Sequence, residues 1–501
     1  MPYETEFTPA QAVTMFCQAA AQKGLIDLED KDFTVNKVLE ILQLDAPEPA
    51  ASLLPLLRLS ALLVQHAVDK GLCEDSPEAR DRFSARLFGA VTPGPRAVRN
   101  QFSQLLKEEG AQAACDAFYR MCRDNDYIRT EHIRENIVYT EPTPAGDLII
   151  TINLSKPEKD PKDIAAARRQ TASSYPKCML CRENPGYAGR PGFPARQNHR
   201  IIPLPLGGET WYLQYSPYLY YPEHCIVLAG EHLPMQMSRQ SFEKMFDFVD
   251  LIPHYFIGSN ADLPIVGGSI LTHDHFQGGR QAFPMDAAEP WFDFHMEDPG
   301  IHGQALKWPM TCLKLWGTDR VRLIDRMLQV LVAWRQYSDE ELGILSRTQD
   351  AHNAITPVLR KEGDTYTAYL LLRNNRTTAE HPLGLFHPHA QRHHIKKENI
   401  GLIEAMGLFI LPGRLKEELK QVENSLLSGE RLPMDSPHHD WTEEMRARLP
   451  KRFSAANAEA FLRKEVAQVC HDVLCDTGVY KQDQEGKAGL VRFLESMGMH
   501  G

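Results

Sequence analysis

The runs HDHFQGG at residues 273–279 and HPHAQRHH at 387–394 repeat one pattern, His-x-His-x-Gln: His273, His275 and Gln277, then His387, His389 and Gln391. Side chains alternate along a strand, so each copy read as β-structure sets two imidazoles and an amide on one face. An imidazole attacks phosphorus through a free ring nitrogen, and a nearby amide can donate to the phosphoryl oxygen. The pattern therefore points to phosphate transfer. Its recurrence predicts an internal duplication of one domain plan, of which one half keeps the chemistry.

Upstream, Cys178 and Cys181 form a C-x-x-C knuckle suited to tetrahedral zinc if two more ligands arrive, with His232 and His273 as candidates. A redox dithiol is the alternative, but the knuckle opens the loop CRENPGYAGR rather than a helix. With His273 fixed by a metal, His275 has little orientational freedom left to lose and is the expected nucleophile. An ordinary imidazole pKa of about 6.5 leaves it largely neutral without a separate base. Gln277 and the amides of Gly278 and Gly279 are expected to hold the phosphoryl oxygens, while the GGS run at 267–269 lets a diphosphate approach the backbone. Arg200 and Arg280 are candidates for neutralising phosphate, and Asn198 for binding a ribose or base. The second copy precedes Lys396 and Lys397. It is expected to hold a second metal near His387 and His389, or to bind an acceptor phosphate through the lysines.

With 501 residues, 43% of them hydrophobic, the chain is long enough for two or three domains. A net charge of −11 argues against a nucleic-acid surface, so an anionic ligand must be gripped locally. No run approaches the roughly 20 apolar residues of a membrane span. The start MPYETEFTPAQ has neither a basic leader nor an apolar core, so a cytoplasmic location is expected. Ten cysteines in so long a chain do not make a disulfide framework.

Periodicity predicts an α+β fold. Residues 1–145 read as helical, a scaffolding or oligomerisation region. From Leu148 come the β-rich runs LIITINL, HRIIPLPL, HCIVLAG, LPIVGGSIL and TYTAYLLLR, broken by helices near Arg239–Leu251 and Val321–Tyr337. Helix is expected again after His394, and KPEKDPKD at 156–163 reads as a linker. The long helical flanks suggest a homo-oligomer.

The run DLPIVGGSILTHDHFQGG, Asp262 to Gly279, resembles the signature of the class II galactose-1-phosphate uridylyltransferases, with Thr272 where that branch has Ser or Ala. Similarity extends through YPKCMLCRENPGYAGR, QYSPYLYYPEHCIVL and HPHAQRHHIKKENIGLIEAMG. The resemblance implies two histidine-triad-like domains with antiparallel sheets, set here at 146–300 for the catalytic, nucleotide-binding domain and 301–501 for the second domain with its helical C-terminal region. It implies a ping-pong exchange: His275 takes uridine monophosphate (UMP) from UDP-glucose, releasing glucose 1-phosphate, and passes it to galactose 1-phosphate, with Gln277 on the phosphate. It also implies zinc on Cys178, Cys181, His232 and His273, uridine at Asn198, and a hexose-phosphate loop containing Lys397 and Gly401. His387-Pro388-His389 looks like the catalytic tripeptide of the class I relatives, which makes His389 the rival nucleophile. Three other readings compete: a metallohydrolase, a histidine-triad nucleotide hydrolase or phosphorylase, and a non-enzymatic sugar-nucleotide-binding protein.

Overall fold

The computed structural model describes residues 7–50, 52, 54–155, 175–268 and 270–500; the KPEKDPKD stretch and Ser269 lie outside the described residues. Helical spacing of apolar residues between marked caps accounts for the N-terminal helices. Thr8 and Gln11 form a capping box ahead of Pro9, the first residue of α1 (Pro9–Gln22). With α2 (Lys31–Leu42), α3 (Leu56–Asp69) and α4 (Pro77–Val91), it closes a separate core around Phe16, Leu59, Leu63 and Phe88. Helices α5 (Pro95–Glu108) and α6 (Ala111–Asp124) instead turn Phe102 and Phe118 onto the main sheet, and α7 (Thr130–Arg134) leads out of the bundle.

After the hairpin of β1 (Ile137–Thr143) and β2 (Gly146–Asn153) come β3 (Ile202–Leu206), β4 (Glu209–Tyr215), β5 (Cys225–Ala229), α8 (Arg239–Leu251), β6 (Phe256–Gly258) and β7 (His275–Gly279). The same succession follows as β8 (Pro290–Phe294), β9 (Ile301–Leu306), β10 (Cys312–Gly317), α9 (Arg320–Gln336), β11 (Asn353–Glu362) and β12 (Thr365–Asn374). In each set the last strand inserts between the third and the fourth, giving β3-β4-β5-β7-β6 and β8-β9-β10-β12-β11. The two sets join antiparallel, with Gly258 opposite Val358, into one ten-stranded sheet. The fold is α+β, and the duplication exists as topology.

That duplication does not relate the two His-x-His-x-Gln copies. Gln277 pairs with Gly258 and Tyr369 with Val358, so β12 is the counterpart of β7. The second copy lies past the end of β12, in turns and a short 3-10 segment at Ala390–Arg392 rather than on a strand. Pro388 has no N–H to give to a ladder, and the neighbouring imidazoles bond to loop carbonyls instead.

The C-terminal part comprises α10 (Leu402–Ala405), β13 (Leu408–Pro412), α11 (Leu415–Ser428), α12 (His439–Ala447), α13 (Ala458–Thr477) and α14 (Gln484–Glu495). Strand β13 corrects the expectation of helix after His394. Gly407, at φ 95°, swings the chain out of α10, and Leu408–Pro412 lies parallel to β2. LPIVGGSIL, read as β-rich, forms no strand in its described residues: it turns at Pro264 to Val266, folded so closely that a Cβ on Gly267 would sit 2.5 Å from the carbonyls of Ala261 and Leu263. Helices α8 and α9 cover one face of the large sheet with Phe242, Phe246, Met327 and Trp334. The small sheet β1-β2-β13 and the C-terminal helices cover the other with Ile150, Phe409 and Trp441. No helix among the described residues is long and apolar enough to cross a membrane.

Candidate active site and metal-ligating cluster

Strand β7 positions the motif. Phe276 points into the layer beneath α8 and stacks on Trp211, ring centroids 5.0 Å apart, a pairing worth about 1 kcal/mol beyond its buried area. Alternation then turns His275 and Gln277 to the opposite face, where they line a cavity of about 700 Å³. The far wall comes from Asn260, Gly267 and Gly268 of the turn segment, and from Lys396, Gly401 and Glu404 beyond the second histidine run. Leu402 N–H donates to Asn260 Oδ1 at 2.9 Å, tying the two walls together.

His275 is nearly buried, and its Nδ1 donates to the carbonyl oxygen of His273 at 2.8 Å. This fixes the tautomer: Nε2 carries the lone pair. Burial, only partly opposed by that hydrogen bond, pushes the ring's pKa down to about 4, so it is neutral near pH 7. Gln277 Oε1 is buried without a hydrogen-bond partner among the described residues. On the far wall, burial works against the charge of Lys396, but its ion pair with Glu404 outweighs this and holds the ammonium up. Glu404 also accepts from Gly401 N–H at 3.0 Å.

Cys178, Cys181, His232 and His273 bring their ligand atoms within 4.8 Å of one another. The sulfurs are 3.7 Å apart, His273 Nδ1 is 3.3 Å from Cys178 Sγ, and His232 Nδ1 is 3.3 Å from Cys181 Sγ. A tetrahedron with Zn–S bonds of about 2.3 Å would set its sulfurs about 3.8 Å apart, so the donor set fits that ion. Nε2 of His273 donates to Ala229 O at 3.0 Å, which leaves Nδ1 to a metal. Asn184 holds the knuckle by donating to the carbonyls of both cysteines.

The family model for the N-terminal domain of galactose-1-phosphate uridyl transferase matches residues 26–234, and that for the C-terminal domain matches 248–443. The galactose-1-phosphate uridylyltransferase of Bacillus subtilis (strain 168) is 46% identical over 95% of this chain and 95% of its own length. That of Caldanaerobacter subterraneus is 43% identical over 96% of each. The chain belongs to the galactose-1-phosphate uridylyltransferase family. Among solved structures, a yeast Ap4A phosphorylase aligns over 71% of this chain and 94% of its own at 12% identity, with a TM-score of 0.31.

In this family member the structure brings together His275, Gln277 and Gly401 at the cavity, and Cys178, Cys181, His232 and His273 in the cluster beside it. It places other sequence candidates elsewhere. Asn198 is buried in a reciprocal pair: its amide donates to Asn125 O at 3.0 Å, and Asn125 donates to Asn198 O at 2.7 Å. Arg200 is spent on the carbonyls of Pro93, Gln197, His199 and Thr92, joining α4 to the segment before β3. Arg280 pairs with Asp116 and Glu223. Gly278 and Gly279 are needed for packing: a Cβ would lie 2.7 Å from Phe256 O at the first and 2.6 Å from Glu223 O at the second. Lys397 lines a separate cavity of about 330 Å³ with His387.

The second metal expected near His387 and His389 finds no ligand set among the described residues. The ring nitrogens of His387 face Pro388 O and Asn399 Oδ1, and those of His389 face Leu385 O and Asp476. Among the described residues these histidines enter no cluster of three ligand groups.

Sequence reasoning missed Asn260, Tyr220, His224 and Glu404, all of which line the cavity. For His224 a signal existed. In the strand run HCIVLAG, alternation places His224 and Ile226 on one face, as it does His275 and Gln277. For Asn260 and Glu404 no local pattern distinguishes a cavity wall from an ordinary turn or helix start.

Proposed function

We propose that this chain moves UMP from UDP-glucose to galactose 1-phosphate by way of His275. The ring geometry of that residue carries the reading: Nδ1 is committed to the His273 carbonyl, so a neutral imidazole offers its Nε2 lone pair at the cavity. Attack by Nε2 forms an N–P bond and breaks the bridging P–O bond, and glucose 1-phosphate departs with the electron pair. Nδ1 keeps its proton, and the His273 carbonyl shares the positive charge that the ring acquires. Galactose 1-phosphate then attacks the same phosphorus and restores Nε2. A phosphate leaving group bears charge well, so no strong general acid is needed, and Gln277 serves the phosphoryl oxygens.

Zinc is the ion that the Cys178, Cys181, His232 and His273 donor set suits, and when bound it supplies a structural clamp on His273. In this reading the first strand set, β3 to β7, forms the catalytic domain, the second set from β8 onward with the C-terminal part closes the cavity, and the helices before β1 lie outside it; the bounds expected at 145 and 300 would cut the β1–β2 hairpin and part β8 from its set. Isotope exchange tests the reading. Labelled glucose 1-phosphate should enter UDP-glucose without galactose 1-phosphate. Release of UMP to water or inorganic phosphate as the main product would reassign the chain to a nucleotide hydrolase or phosphorylase.

A further inference from the structure

His224, the last residue before β5, is only 4% exposed, yet neither ring nitrogen has a hydrogen-bond partner among the described residues. Buried polar atoms without partners are uncommon in folded proteins, and each calls for an explanation. The ring lies in the wall of the His275 cavity. Strand β5 runs antiparallel to β7, with Leu228 opposite His275 and Ile226 opposite Gln277. His224 shares the face of Ile226, diagonally one step past Gln277, so His275, Gln277 and His224 form a row. At its far end the His224 ring stacks on Tyr220, with centroids 5.4 Å apart, and Tyr220 lies in the field of Glu404 and Lys396. The row leads from the nucleophile to the buried ammonium.

We propose that His224 is a second catalytic imidazole, whose N–H donates to the hexose 1-phosphate group as that phosphate leaves and, in the return half-reaction, as its counterpart attacks. The proposal rests on the uridylyl-transfer reading above and divides its labour: Gln277 serves the transferred phosphoryl group, His224 the phosphate exchanged against it. As the N–P bond forms, the electron pair of the breaking P–O bond stays on the departing phosphate. His224 moves no net proton and answers the charge gathering on that oxygen. Burial, against a smaller opposing effect of the Gln277 amide, pushes its pKa down to about 4, so the ring is neutral with one N–H to give. The unpartnered nitrogens of His224 mark where a ligand atom completes the network.

Rapid mixing of the full chain with UDP-glucose labelled at the α-phosphorus tests this, comparing wild type, His224→Phe and His224→Gln. Phenylalanine fills the ring's space without a donor; glutamine keeps an N–H near the position of Nε2. His224→Phe should acquire label about 100-fold more slowly, the size expected for losing one preorganised donor, with little change in KM. His224→Gln should stay within about tenfold of wild type, keeping most of that donor's contribution. Labelling of His224→Phe at the wild-type rate overturns the proposal, as does equal slowing of both variants, which assigns the ring a packing role. Absence of label on the wild-type chain defeats the uridylyl-transfer reading itself, and needs no variant to be seen.

Discussion

His273 holds His275 by its backbone while its own ring belongs to the cysteine cluster: its carbonyl oxygen is 2.8 Å from His275 Nδ1, and its Nδ1 is 3.3 Å from Cys178 Sγ. His273 thus links the Cys/His cluster directly to the proposed nucleophile, His275. A clamp on the His273 ring fixes the peptide that sets the tautomer and the aim of His275.

Metal removal should therefore reach the chemistry. Elemental analysis is expected to give one zinc per chain, and Cys181→Ser should weaken metal binding at least as far as the about 10–100-fold typical of losing an outer partner. Covalent labelling from UDP-glucose should fall with metal content. A metal-free chain that labels at the full rate would separate the cluster from the site.

The packing of β7 predicts an effect on stability. A side chain at Gly279 would add strain at φ 144° to a contact 2.6 Å from Glu223 O, so Gly279→Ala should cost roughly 1–3 kcal/mol. Gly278→Ala should act likewise against Phe256 O. Urea unfolding midpoints measure this. Wild-type midpoints with loss of substrate binding alone would return these glycines to the phosphate.

Acid sensitivity follows from His224. Its folded pKa of about 4 lies below the unfolded value of about 6.5, so the unfolded chain binds the extra proton between these limits. The contribution is fully present above pH ~6.5 and is lost as pH falls toward 4, about 3 kcal/mol in all. His394, also pushed down by burial, adds with the same sign. Unfolding midpoints from pH 7 to 4.5 should decline less steeply in His224→Phe; an unchanged slope would count against the buried neutral ring.

Asn260 couples the two cavity walls. Asn260→Ala leaves the Leu402 N–H without its acceptor, which should cost roughly 1–3 kcal/mol and raise the KM for UDP-glucose. Unchanged KM and midpoint would show that the walls are held by other contacts.

The sequence made some of this site legible because the signals were local. C-x-x-C spacing, a histidine after a strand and alternation through His275 and Gln277 are written in a few residues each, and the structure gathers Cys178, Cys181, His232 and His273 into one cluster and sets His275 at the cavity beside it. Asn198 and Arg200 read as ligand-binding groups because their partners, Asn125, Thr92 and Pro93, lie just past the ends of α6 and α4, whose docking no short pattern records. Lys396 and Lys397 are neighbours, and only the path of their loop decides that Lys396 faces the His275 cavity and Lys397 the smaller one. The repeated His-x-His-x-Gln pointed to a genuine duplication through the wrong residues. The repeat lies in strand order, where β12 carries Tyr369 opposite Val358 and no histidine.

The central claim is tested most directly by incubating the chain with UDP-glucose labelled at the α-phosphorus, without acceptor, and mapping the bound label by peptide sequencing. The label should sit on His275, be acid-labile and alkali-stable, leave on addition of galactose 1-phosphate, and be absent from His275→Ala. Label on His389, or no label together with kinetics that require both sugars bound at once, would contradict the account.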